Sequence, residues 1–381
     1  MNWWSGRRGT VLRRTGIALG SVVLLLAVAI GAFFLVRNPP VEPFEPVAWD
    51  PPDGFSVDSG RIDSATAGTL RPLGRQSFNG PEDIAVDGSQ RVYTGTRDGL
   101  IMRTEPGRDR AEVFAKVGGR PLGLAFDHHG RLLVANHGVG LQSVSPSGNV
   151  TLLADRANGE PILAANDLVI DSAGIVYFSD SNSKYNSATL GGLPSYSLYD
   201  FLEGRPLGRL LKYDPQSRLT TELLTDLYFP NGVVLTGDGR AVLVAESTRY
   251  RISRYWLSGS RAGAADVLVD GLPGISDGFT STGDGRLLLP MYERIPSLDR
   301  YVLPSRLMRQ AVVRMPTSVL VGEEPLSGCV LVLSEDGRVL SQVTGIHPAP
   351  TNIVPYQQGW LLGSLVGQPI RWIADPGHSG R

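Results

Sequence analysis

One cysteine, Cys329, stands in 381 residues, so no intramolecular disulfide can form and metal centres built on several thiolates are excluded. Cys329 reads as a small apolar core residue. Lysine is nearly absent, at Lys116, Lys184 and Lys212 only, and histidine occurs five times. An excess of either charge is missing too. The 36 basic and 37 acidic side chains leave a net charge of −1, which gives no footing for a nucleic-acid-binding role. What is abundant is Gly (46) and Pro (27), without a collagen period, in a chain that is 42% hydrophobic. That combination supplies a sizeable core and favours many short strands, so an all-β fold is expected.

Residues Gly16 to Val36 form an uncharged apolar run of 21 positions, long enough to cross a hydrocarbon core of about 30 Å as a helix. Arg7, Arg8, Arg13 and Arg14 precede it with no acidic residue, so the positive-inside rule keeps 1–15 cytoplasmic and exports the rest as a single-pass protein. Cleavage as a signal peptide is the competing reading, through Ala27-Val28-Ala29, but Phe33, Phe34 and Leu35 continue the apolar run beyond it. Residues 37–58 follow as a Pro-rich linker, with six prolines between Asn38 and Asp53, expected to be an extended spacer off the bilayer.

From about residue 77 a hairpin phrase recurs: a polar anchor, an apolar run, a Gly turn, and a second apolar run. Its copies are PEDIAVDGSQRVYTGT, PLGLAFDHHGRLLVAN, ANDLVIDSAGIVYFSD, PNGVVLTGDGRAVLVAE, SDGFTSTGDGRLLLPM and TNIVPYQQGWLLGSL. Segments between the copies read as further hairpins, which makes four-stranded units. The turn glycines Gly88, Gly130, Gly174, Gly239 and Gly285 lie 42, 44, 65 and 46 residues apart, near the period of a propeller blade. Six copies predict a six-bladed β-propeller over 59–376, with 377–381 as a tail. Insertions near 182–205 and 292–316 are expected as lids or rim loops. The second holds Arg306, Arg309 and Arg314 among apolar residues. It reads either as a rim helix with solvated arginines or as a basic helix on anionic lipid.

Alignment on the turns places Glu82, Leu122, Asn166, Asn231, Asp277 and Asn352 at one register position. In a propeller that position faces the central channel, so five oxygen-bearing side chains converge at one end of the axis. Calcium takes such donors, whereas softer metals recruit His or Cys. Asn231-Gly232 and Asp277-Gly278 are also ordinary turn dipeptides, and turn capping is the alternative for any single anchor.

The strings GPEDIAVD, ANDLVIDSAGIVYFSDSNSKY, the run from GRLLKYD through PNGVVLTGDGR to RYWLSG, and SDGFTSTGDGR resemble the strictosidine-synthase-like branch of the SMP-30/gluconolactonase superfamily. The resemblance spans roughly 60–376. It implies one calcium ion held by Glu82, Asn166, Asn231 and Asp277, and a hydrolase of lactones or aryl esters, with Asp277 as ligand and general base. His137 is similar in place to one histidine of the paraoxonase dyad, a second catalytic candidate, but the other dyad position falls at Leu122. Asn352 stands where strictosidine synthase carries its catalytic glutamate. An amide cannot take that proton, so condensation chemistry is not expected and Asn352 is expected to line the substrate pocket. The alternative function is a non-catalytic, calcium-stabilised propeller that binds a small molecule or protein.

Overall fold

A computed structural model describes residues 37–377 apart from 64, 74, 106–109, 186–192, 317–319 and 321–325, together with 31, 33 and 320. Six antiparallel sheets follow one another along the chain as blades. The first strands of blades 1 to 4 are Ile84–Val86, Arg120–Phe126, Ala165–Ile170 and Pro230–Leu235. Blade 5 opens with an interrupted strand, Gly274–Ser276 and Thr280–Ser281, and blade 6 with Ile353–Tyr356. The second strands, such as Leu132–His137 and Ala241–Glu246, are buried along their whole length. Being covered on both faces by neighbouring blades, they read as continuous apolar runs rather than alternating ones. Six apolar clusters fill the six inter-blade spaces. The last joins Ile84 and Val92 of blade 1 to Tyr356, Leu361 and Ile370 of blade 6 and closes the ring.

Closure uses a strand that the repeat pattern does not show. Blade 6 takes three strands from the carboxy-terminal part, and its outermost strand is Arg71–Pro72, paired with Arg371–Ala374. Ile62–Asp63 adds in parallel to the outer edge of blade 5.

Both insertions carry helices, Leu193–Glu203 (α1) and Arg306–Val312 (α2). Arg309 of α2 is not solvated. It is fully buried and donates to the carbonyls of Phe201 (2.9 Å) and Leu202 (3.0 Å) at the end of α1, and to Leu303 (2.8 Å). The orphan carbonyls of a helix C-terminus thereby gain a charged partner. Arg314 donates to the Arg37 carbonyl at 2.8 Å, so neither of these arginines stands free for a lipid surface and only Arg306 is exposed.

The Pro-rich linker is a strap, not a free spacer. Phe44 is buried with Tyr185, Tyr196, Leu202, Phe229 and Val313, and the amides of Val47 and Trp49 donate to the carbonyls of Glu203 (2.9 Å) and Leu303 (3.0 Å). Aromatic residues between the prolines supply the buried area, and a chain without internal hydrogen bonds finds its partners on the insertions. The segment 16–36 lies outside the described residues except for Gly31 and Phe33. Among those described no helix is long and apolar enough to cross a membrane.

Candidate functional site

The blade starts are chained to each other around the axis. The Gly232 amide donates to the Asp277 carbonyl (2.9 Å), the Gly278 amide to the Thr351 carbonyl (2.8 Å), and the Thr351 hydroxyl to the Glu82 carbonyl (2.6 Å). Ser179 donates to the Asn231 carbonyl at 2.7 Å. Adjacent backbones come so close that a Cβ on Gly232 would lie 2.4 Å from Gly278, and one on Gly278 would lie 2.7 Å from Asn352. The Asn-Gly and Asp-Gly pairs are therefore not turn dipeptides. Their glycines are demanded by blade packing, and the preceding side chains are turned to the channel mouth.

Glu82, Asn166, Asn231 and Asp277 are all buried. Burial and then the neighbouring Glu82 charge push the Asp277 carboxyl well above its usual range, while Tyr292 and the Asn231 amide lie against it and oppose the shift. Burial also raises Glu82, opposed by Arg120, whose Nη2 donates to Glu82 Oε2 at 3.2 Å. Asn166 Nδ2 donates to Ser181 Oγ (2.9 Å), which donates to the Pro230 carbonyl beside Asn231 (2.7 Å). The four anchors thus belong to one enclosed network.

Among the described residues no group of three His, Cys, Asp or Glu side chains is placed to hold a metal, so an ion here would draw on the amides as well. The donor chemistry fits calcium: two carboxylates, two amides, all oxygen, with buried negative charge that a cation would offset.

Asn352 departs from the expected register. Its Oδ1 accepts from its own neighbour, the Ile353 amide (2.7 Å), as Asp83 accepts from Ile84 (2.6 Å) and Asp167 from Leu168 (2.8 Å). Thr351, not Asn352, is the counterpart of Asp277. The cause is the blade 6 hairpin, where Tyr356 pairs with Gly359 across two residues, while Val86 pairs with Val92 across five in blade 1. Asn352 Nδ2 is bonded to Asp83, and Oδ1 also accepts from Thr280. It belongs with Asp83 and Asp167 to a second ring, one residue deeper, at the head of a channel of about 370 Å³ lined by the first strands.

His137 is buried on blade 2 with its ring 4.6 Å from that of Tyr196, which α1 lays over the mouth. Burial, then the Arg120 charge, lowers its pKa to about 4, so the ring is neutral at neutral pH. His128 and His129 are exposed in an outer turn. Arg120, Tyr196 and the deeper Asp83 and Asp167 escaped the sequence reading. The two aspartates had a signal, since each directly follows an anchor. Arg120 and Tyr196 had none.

Fold and site together define a six-bladed β-propeller with a lidded ring of oxygen donors at one end of its channel. Residues 166–260 match the strictosidine synthase family model, and residues 72–104 match the amino-terminal model of strictosidine synthase-like proteins. The chain is similar to strictosidine synthase-like protein 4 of Arabidopsis thaliana, 36% identical over 230 residues, 58% of this chain and 59% of that protein. It is 33% identical over 381 residues to adipocyte plasma membrane-associated protein of Bos taurus, covering 91% of this chain and 85% of that one. A solved gluconolactonase from Xanthomonas campestris shares the fold, with TM-score 0.59 and 18% identity over 89% of this chain and 100% of that one. The chain belongs to the strictosidine synthase-like family.

Proposed function

We propose that this chain is a calcium-dependent hydrolase of lactones or aryl esters, anchored by its amino-terminal segment with the propeller on the exported side. The observation that carries the reading is the convergence of Glu82, Asn166, Asn231 and Asp277 in one buried network beneath a lid. The shared fold with a gluconolactonase favours lactones as a substrate class. Those four residues would hold calcium, which when bound supplies a Lewis acid for the scissile carbonyl oxygen. Asp277, ionised when the cation is bound, would accept a proton from the attacking water. Asn231 and Tyr292 orient its carboxylate. Tyr196, backed by Phe44 of the strap, excludes bulk water and strengthens every electrostatic contact inside. His137 is a weak base at a pKa of about 4 and serves as the lesser proton acceptor. Asn352, with its amide engaged by Asp83, Ile353 and Thr280, lies one residue deeper, among the residues that line the channel.

The second reading, a calcium-stabilised binding propeller without turnover, is favoured by Leu122 in place of a dyad histidine and by that low pKa. Metal content of the full-length chain, with a lactone and aryl-ester panel assayed in calcium and in chelator, separates the two. Chelator-sensitive turnover supports the hydrolase. Bound calcium with no turnover on any substrate moves the binding propeller to first place, and absence of bound calcium removes the ion from both.

A further inference from the structure

We infer that the site recognises an oxyanion, a carboxylate or phosphate carried by its ligand, and that Arg120 is the residue that reads it. The inference deepens the hydrolase reading of the same site. Arg120 opens blade 2, paired across strands with His137, and is 5% exposed. Its Nη2 donates to the Gly80 carbonyl (2.7 Å) and to Glu82 Oε2 (3.2 Å). Its Nε and Nη1 are equally enclosed and have no hydrogen-bond partner among the described residues. A guanidinium presents five N–H groups in a fixed fork, and enclosing charged donors without acceptors is unfavourable unless something else meets them.

A counter-ion role toward Glu82 uses Nη2 alone and leaves the enclosed Nε and Nη1 unaccounted for. Arginine–carboxylate pairs elsewhere in the chain range from single bonds, as in Arg91–Asp87 and Arg131–Asp127, to two parallel ones. Arg286 meets Asp375 at 2.9 and 2.8 Å, Arg251 meets Glu246 at 2.7 and 3.0 Å, and Arg254 meets Asp266 at 2.9 and 2.9 Å. Arg120 gives Glu82 one long bond from the nitrogen it shares with a carbonyl, and keeps the rest of the fork in reserve. It lies between Glu82, to which it donates, and His137, its cross-strand partner.

The test reads binding rather than turnover. Thermal unfolding of the full-length chain is followed at constant ionic strength, in calcium and in chelator, with benzoate and phenyl phosphate against their neutral counterparts benzamide and phenol. Saturable stabilisation by one or both anions, and not by the neutral pair, is expected; the two anionic arms tell carboxylate from phosphate. Arg120→Met should abolish it. Arg120→Lys, which keeps the charge beside Glu82 without the fork, should weaken it about tenfold. Equal stabilisation by the neutral pair, no stabilisation by either anion, or Arg120→Met binding as wild type overturns the inference. Should Arg120→Met not fold, unchanged affinity in Arg120→Lys overturns it. Arg120-dependent anion binding in a chain that hydrolyses nothing keeps this inference and retires the hydrolase; turnover of neutral esters without anion binding does the reverse.

Discussion

Asp277 and Asp200 show how burial sets the behaviour of single carboxylates here. Asp277→Asn keeps an oxygen donor and nearly the same volume but removes charge and basicity. At saturating calcium the variant should lose about 10² to 10⁴ in turnover, the usual range for general-base catalysis, and calcium titration should show only a moderate loss of affinity. Wild-type turnover in that variant would remove Asp277 from the proposed mechanism. Asp200 of α1 is fully buried, bonded by the Asn182 amide, and pushed up to about 8 by burial, opposed by Asn182 and raised further by Glu203. Its folded pKa lies above the unfolded one, so its neutral form contributes stability that is complete below about pH 4 and lost as pH rises through 8. Asp200→Asn should therefore flatten the fall in unfolding temperature between pH 5 and 9, measured in chelator. At roughly 1–2 °C per kcal/mol for a chain of this size, the difference is readable by calorimetry. Parallel curves would mean that Asp200 folds already ionised.

At the scale of elements, the lid is held by a few long-range contacts rather than by its own helical propensity. Arg309 binds the last carbonyls of α1, Arg249 donates to the Gly204 carbonyl (2.7 Å), and the strap covers both. Burial lowers Arg309 to about 10, which leaves it charged at neutral pH. Its hydrogen bonds to three carbonyls are of the charged kind, about 1.5–3 kcal/mol each when lost. Arg309→Met should then speed amide hydrogen exchange across 196–204 while the second strands of the blades keep their protection. Uniform acceleration through the propeller would show that the insertion and the blades unfold together.

For the whole molecule, the strap matters because of where it begins. Arg37 donates to the Arg314 carbonyl at 3.2 Å, so the strap begins beside α2 and the lid. A spanning segment would hold the propeller close to the bilayer with this rim facing it. A topology reporter fused after Arg381 should score as exported, since four arginines precede the apolar run. A cytoplasmic score would refute the orientation.

Blade number, the four anchors Glu82, Asn166, Asn231 and Asp277, and both insertions were legible in the sequence, because each blade is a local hairpin pair and repeats its register. The same landmark misled at Asn352, where a two-residue turn replaces the five-residue one and shifts the count by one. The closing strand Arg71–Pro72, the strap through Phe44, and the packing of Tyr196 on His137, the cross-strand partner of Arg120, were decided by tertiary structure alone. Their partners lie tens to hundreds of residues away. Periodicity reports which face a residue takes within its own strand, whereas these contacts depend on how separate blades and insertions come together around the axis.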